Sequence, residues 1–281
     1  TDSPSKEIAV FYDLELLYIH IQQFVIKIIM IKMFEKILSL LNLKLINKKN
    51  TGTIDKRELD QFNRENNSYK LYFEGLSKSQ NVSTDNFFKQ SRHLDLINLV
   101  KKVLENEQVY DFAECGCWRG HSSYLISELI NQTKKQVKFH IFDNFEGLSK
   151  DTDNDEELKK IDKNKVDKIR SQFTSSEDFV KNTVLKKFDF IEIYKGWIPE
   201  KFYLVNNCKF SFVHIDVDLY EPTLQSLEFF FPRLVDGGIM ICDDYNLKLF
   251  DGSKKAWDEF FSKNKTKFNF SPSLSGSFII K

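Results

Sequence analysis

The chain has 281 residues, 41% of them hydrophobic and 27 of them Phe, enough to bury the core of one large domain with room for an extension. Its 41 basic and 41 acidic side chains cancel, so no nucleic-acid partner is implied. Four cysteines with no paired metal-ligand spacing argue against a disulfide scaffold and fit a reducing, intracellular, cytoplasmic setting.

Thr1–Lys6 is polar, and Asp13 and Glu15 interrupt the next apolar residues, so no signal peptide is expected. Residues 8–46 have helical character, with Ile26, Met30, Met33, Ile37 and Leu41 on one face. The uncharged run Leu16–Ile26 is too short to span a bilayer. Packing on its own domain or on a second subunit, as in a homo-oligomer, is the expectation, with membrane-surface docking the lesser alternative. Asn47–Glu58 echoes a calcium-binding loop, but Asn47, Lys49 and Thr51 offer no carboxylate where ligands are needed. The expected division is therefore a helical extension and polar connector over residues 1–70, then one domain over 71–281.

Thr84–Asn106 reads as a helix and Tyr110–Cys115 as a strand. The loop Glu114-Cys-Gly-Cys-Trp-Arg-Gly120 follows, and His121 opens the next helix. Gly116 allows a sharp turn and close approach of a ligand, and Gly120 a close helix start. The spacing is not the G-x-G-x-x-G of dinucleotide enzymes. Val137–Phe142 is the second predicted strand. Asp143 at its end is placed for ribose hydroxyls, or for capping the turn Asn144–Gly147.

Lys150–Arg170 carries seven acidic and seven basic residues and four aliphatics, and so reads as a solvated, mobile helical lid. Within it, Asp151, Asp153 and Asp155 mimic an EF-hand start without its later ligands. A helix over Ser175–Leu185 and a strand over Phe188–Tyr194 precede Trp197, an aromatic suited to a flat base or to the core. Phe210–Ile215 and Ile239–Cys242 are short apolar runs on either side of a helix that Pro222 opens, which makes a parallel βαβ unit. The second run follows a turn at Asp236-Gly237-Gly238. Ala256–Phe261 falls in a helix, and Phe268–Phe270 with Ser277–Lys281 forms a closing hairpin.

Asp216 and Asp218 end the first run of that unit, Asp243 and Asp244 the second. All four lie at the carboxyl ends of neighbouring parallel strands, where open α/β sheets bind ligands. Such carboxylates repel one another unless a cation sits among them, and oxygen donors favour Mg²⁺, Mn²⁺ or Ca²⁺. His214, two residues before Asp216, shares its face and is expected to be a satisfied structural histidine.

The blocks DFAECGCWRGHSS (111–123), FDNFEGL (142–148), KGWIPE (195–200), HIDVDLYEPT (214–223) and GGIMICDDY (237–245) together resemble the class I S-adenosylmethionine-dependent methyltransferases, and among them the macrocin O-methyltransferase family. The resemblance covers about residues 85–281. It implies a Rossmann-like α/β sheet of parallel strands with a terminal antiparallel strand. It also implies transfer of a methyl group from S-adenosylmethionine to a hydroxyl of a sugar or sugar-bearing metabolite, with Mg²⁺ or Mn²⁺. Glu114, Gly116 and Gly120 would line the methionine part of the cofactor, Asp143 the ribose and Trp197 the adenine. Asp216, Asp243 and Asp244 would hold the metal, with Asp216 also beside the cofactor, and Asp218 would be the general base or a support of the metal site. His121 departs from the small residues usual after the glycine loop. A catechol-like acceptor, a dinucleotide oxidoreductase and a non-catalytic cofactor-binding protein are the competing readings.

Overall fold

A computed structural model describes residues 67–81, 83, 85–264 and 276–281. The apolar stretch 8–46, the loop echo at 47–58 and Phe268–Phe270 lie outside the described residues. Residue 70, the expected end of the extension, falls inside the first described helix, α1 (Asn67–Lys78).

The described elements alternate. They are α2 (Phe87–Leu104), β1 (Asp111–Cys115), α3 (His121–Asn131), β2 (Phe139–Asp143), α4 (Lys163–Gln172), β3 (Ile191–Lys195), β4 (Phe210–Ile215), α5 (Tyr220–Phe230), β5 (Leu234–Cys242), α6 (Asp251–Lys263) and β6 (Ser277–Ile280). They build one six-stranded sheet in the order β3-β2-β1-β4-β5-β6. All neighbours are parallel except β6, which runs antiparallel to β5. The order reverses between β1 and β4, and at such a switch point the carboxyl ends of the strands border a crevice.

Both faces of the sheet are buried, as parallel strands require. Phe112, Phe139, Ile141, Phe212 and Ile241 face one core with α2 and α3, while Ala113, Cys115, Phe142, Val213 and Met240 face the other with α5 and α6. All six residues of β4 are buried, so period-2 polar alternation is absent there. At roughly 1.5–3 kcal/mol per fully buried large side chain, these two layers dominate the favourable side of folding.

Several expectations need correction. The helix over Ser175–Leu185 is only a turn at Glu177–Phe179 running into a π-helical segment, Val180–Val184. β3 starts at Ile191 rather than Phe188, whose side chain instead packs into the core beside Tyr124. Asp236-Gly237-Gly238 is not a separate turn: β5 runs through it from Leu234, with a register slip between Phe210 and Phe212 and φ +77° at Gly237.

The stretch 150–170 is not a free lid. Asp155 is fully buried and accepts from Thr152 N at 2.7 Å and from Tyr220 N, at the start of α5, at 2.9 Å. Leu158 packs with Leu219 and Phe250, and Glu157 N donates to Asp251 at 3.2 Å. Asp155 thus serves as an acceptor at a helix N-terminus, where a carboxylate is favourable. Its charge, read from the sequence as solvation, fixes the segment.

Candidate active site

The crevice at the switch point has a volume of about 1280 Å³, above the usual range for a single small ligand and large enough for two. Gly116, Trp118 and Asp143 line one side, and Trp197, Asp216, Asp218 and Asp244 complete much of the rest.

The glycine loop closes tightly over the strand tips. Gly116 has φ +83°, and a Cβ there would sit 1.9 Å from the backbone oxygen of Asp216. Only glycine fits. Gly120 also has a positive φ, but it faces Val180 and Val184 behind the crevice wall, where a Cβ would meet methyl groups at 3.3 Å. Glu114 likewise sits beneath the wall. It is fully buried, accepts from Ser123 Oγ, and lies 2.9 Å from His214 Nδ1. Any effect of Glu114 on a ligand is therefore transmitted through the loop it underlies.

Asp143 faces the crevice from the tip of β2. Its Oδ2 accepts from Cys117 N at 2.7 Å and Trp118 N at 2.9 Å, and its Oδ1 accepts from Phe145 N at 2.6 Å. The turn-capping alternative is thus present in the structure, together with a tie to the glycine loop. Burial pushes its pKa up, and the three N–H donors work in the opposite direction. The Cys117 thiol is a fourth donor to it, so the roughly four lone-pair sites of this carboxylate are filled within the fold.

The four acids at the tips of β4 and β5 come together, though not as strand alternation would have it. β4 ends at Ile215, and Asp218 has φ +61° after a tight turn, Leu219 N to Val217 O at 2.6 Å. Asp218 does not share the strand face of Asp216; it folds back, and its N–H donates to Asp244 Oδ2 at 3.0 Å. Asp243 lies behind the wall and is bound by Arg92, whose Nη1 is 2.7 Å from Oδ2. The same Arg92 atom is 3.9 Å from Asp244 Oδ1. His214 spans the network, Nδ1 to Glu114 and Nε2 to Asp243 Oδ1 at 3.4 Å, the latter without hydrogen-bond geometry.

Burial and mutual repulsion push Asp216, Asp218 and Asp244 well above the ordinary carboxylate range. Burial would raise Asp243 too, but Arg92 and His214 hold it below that range. Burial disfavours a charged His214, yet the adjacent carboxylates of Asp243 and Glu114 win and raise its pKa. Among the described residues the four aspartates share one guanidinium and one imidazole, so within that set the cluster is short of positive charge.

That deficit fits a hard divalent cation. One ligand atom each from His214, Asp216 and Asp243 lies within 4.8 Å of the others. Asp244 borders the same crevice but is outside that triplet. An imidazole among the oxygens suits Mn²⁺ as well as Mg²⁺.

Arg92 is the residue that sequence reading missed. Its helix was expected, but a lone arginine on a helix reads as a solvated position. Only the packing of α2 over the strand tips brings it to the acids. Trp118 was also passed over. It lines the crevice with φ +46°, and its buried Nε1 has no hydrogen-bond partner among the described residues. Cys117, by contrast, has a buried thiol pushed well up in pKa by burial and nearby acids, and plays the hydrophobe.

The family profile described as "Macrocin-O-methyltransferase (TylF)" matches residues 37–271. A curated relative from Streptomyces olivaceus, 8-demethyl-8-(2,3-dimethoxy-alpha-L-rhamnosyl)-tetracenomycin-C 4'-O-methyltransferase, is 29% identical over 153 residues, covering 52% of this chain and 57% of the relative. The chain thus spans somewhat over half of that relative's length. Among solved structures, the O-methyltransferase NovP superposes with a TM-score of 0.60 at 20% identity, over 74% of this chain and 87% of the other. CalS11, a calicheamicin methyltransferase, gives 0.54 at 14% identity, over 84% and 97%. At those identities the likeness is one of fold: the Rossmann-like sheet with its antiparallel last strand.

Proposed function

Because this chain belongs to the macrocin O-methyltransferase family, we propose that it transfers a methyl group from S-adenosylmethionine to a sugar hydroxyl with the help of Mg²⁺ or Mn²⁺. The observation that carries this reading is the aspartate cluster, short of positive charge, in one wall of a two-ligand crevice whose other wall is a glycine loop. The name of the Streptomyces olivaceus relative, which describes 4'-O-methylation of a rhamnosyl group, supports a sugar acceptor.

The methyl donor would lie along the loop. Gly116 admits it against the backbone, Asp143 would accept from a ribose hydroxyl in place of the weakly donating Cys117 thiol, and Trp197 or Trp118 offers an aromatic face to the adenine. Glu114 acts from below by holding Ser123 and His214 in place. Asp216 and Asp243 would hold the metal, joined by Asp244 or His214. A bound divalent ion lowers the pKa of a chelated hydroxyl and fixes its angle of attack. Asp218, raised in pKa and facing the crevice, is placed to take the acceptor's proton. Its backbone bond to Asp244 sets its position, so the roles of base and of metal-site support are compatible in one residue. The cluster excludes anions from this side of the crevice and favours a neutral, hydroxyl-rich group there.

The test is a methyl-transfer assay with labelled donor against a panel of nucleotide sugars, free sugars and catechols, with and without chelator. Transfer to a sugar that chelator abolishes and Mn²⁺ or Mg²⁺ restores is the expected result. Transfer indifferent to chelator removes the metal from the reading, and transfer to catechols alone removes the sugar.

A further inference from the structure

At the end of the sheet opposite the crevice, three potential metal ligands come from β1, β2 and the segment leading into β4. Asp111 opens β1, His140 is the second residue of β2, and Cys208 lies two residues before β4. One ligand atom from each lies within 4.8 Å of the other two. The geometry points to a second metal site here, for a borderline-soft divalent ion of the Zn²⁺ class, separate from the crevice and its hard-cation cluster.

The distances suit that ion. Asp111 Oδ2 and His140 Nε2 are 3.2 Å apart. Tetrahedral Zn²⁺ with bonds of about 2.0–2.1 Å to nitrogen and oxygen sets such neighbours roughly 3.3 Å apart. Both ligands also have the outer partners that metal-binding side chains ordinarily show. His140 Nδ1 is 3.0 Å from the Tyr194 hydroxyl, which can accept from it and so free Nε2 for a metal. Asp111 Oδ1 accepts from Lys138 N at 3.1 Å, which leaves Oδ2 for coordination.

The donor set is selective. A thiolate and an imidazole favour Zn²⁺ and disfavour Mg²⁺, and one thiolate with one carboxylate neutralises a dication. Three protein ligands leave a fourth position, and a cavity of about 700 Å³ opens beside Cys208 to supply a water and an entry path. Nothing in the proposed methyl transfer uses these residues. Bound metal would clasp β2, β1 and the approach to β4 together at the end of the sheet remote from the crevice.

The test is a Co²⁺ titration of the metal-stripped full chain, read by the thiolate-to-cobalt charge-transfer band. The four-aspartate cluster and His214 offer no sulfur and cannot give that band. The expected result is a band that saturates at one equivalent, is displaced by Zn²⁺ but not by Mg²⁺, is lost in Cys208→Ser and is retained in Asp243→Asn. No band in the parent chain, or a band that survives Cys208→Ser, overturns the site. So does a band lost in Asp243→Asn. Should Cys208→Ser not fold, Asp111→Asn carries the same test: at least a roughly 10-fold weaker Co²⁺ affinity is expected, and an unchanged affinity overturns the site.

Discussion

Two acidic walls face the same crevice and are stabilised by different means. On the β2 side, Asp143 receives three backbone N–H groups and is close to saturated. On the β4 and β5 side, the partners that Asp216, Asp218, Asp243 and Asp244 share among the described residues include Arg92, His214 and the Asp218 N–H. The first arrangement spends a carboxylate on holding a loop. The second leaves negative charge in excess, an expense that folding alone would not select and that a cation would relieve. The contrast separates a residue whose ligand role is an addition to a structural one from residues whose cost makes sense only with a ligand.

The sharpest way to break that contrast is Asp218→Asn. If Asp218 takes the acceptor proton, kcat for methyl transfer falls by ~10²–10⁴-fold. Thermal stability should hold or rise, because one member of a repelling set is neutralised. A variant that loses stability together with activity would place Asp218 with Asp143 as a structural acid. Asp216→Asn should behave the same way in stability, with loss of Mg²⁺ or Mn²⁺ response as its distinguishing sign.

Arg92→Met probes the only guanidinium at the cluster among the described residues. Removing one partner of a buried ion pair leaves an uncompensated charge, at a cost of about 3 kcal/mol. Stability in chelator should drop accordingly, and added Mn²⁺ should recover more of it than in the parent chain. Denaturant unfolding with and without metal reads both quantities. Equal metal response in the two proteins would mean that Arg92 and the metal do not answer the same charge.

On the other wall, Asp143→Ala should cost about 2–3 kcal/mol in unfolding free energy, since three N–H donors lose a charged acceptor. It should weaken donor binding as well, and metal should restore neither. An Asp143 variant of full stability and poor donor affinity would reverse the comparison.

How much of this was legible in the sequence depended on the range of the forces involved. β4 was read to the residue because a strand buried on both faces is written as an apolar run. The tip positions of Asp143, Asp216, Asp243 and Asp244 followed from the strand ends. The turn that carries Asp218 was not legible, since the apolar run gives no sign that its φ is +61° just past the end of β4. The start of β5 was missed because Asp236-Gly237-Gly238 has turn chemistry, yet its strand pairing absorbs a register slip there. Arg92 and Asp155 were illegible for one reason. A charged side chain in a polar segment looks solvated until a partner 65 or more residues away closes on it, as Tyr220 closes on Asp155.

The smallest effect concerns the residue next to Arg92. His93 stacks on His121 at 4.3 Å between ring centroids, and both are buried. His93 Nδ1 meets Lys89 O at 2.7 Å and His121 Nε2 meets Tyr72 O at 3.0 Å. Burial, then the neighbouring imidazole and cations, lowers His93. Burial and Lys89 pull His121 down to about 3, far below the ordinary imidazole range. Both are therefore neutral in the fold, whereas the unfolded chain takes up protons once pH falls below about 6.5. Stability contributed by the neutral form is complete above that value and declines as pH drops from about 6.5 toward 3, by up to about 1.4 kcal/mol per pH unit for each group. His121→Phe should flatten that acid slope in urea melts between pH 7 and 5, at some packing cost at pH 8. A slope unchanged by His121→Phe would rule out the His121 imidazole as its source; the three raised carboxylates of the aspartate wall take up protons in the fold and give the opposite sign.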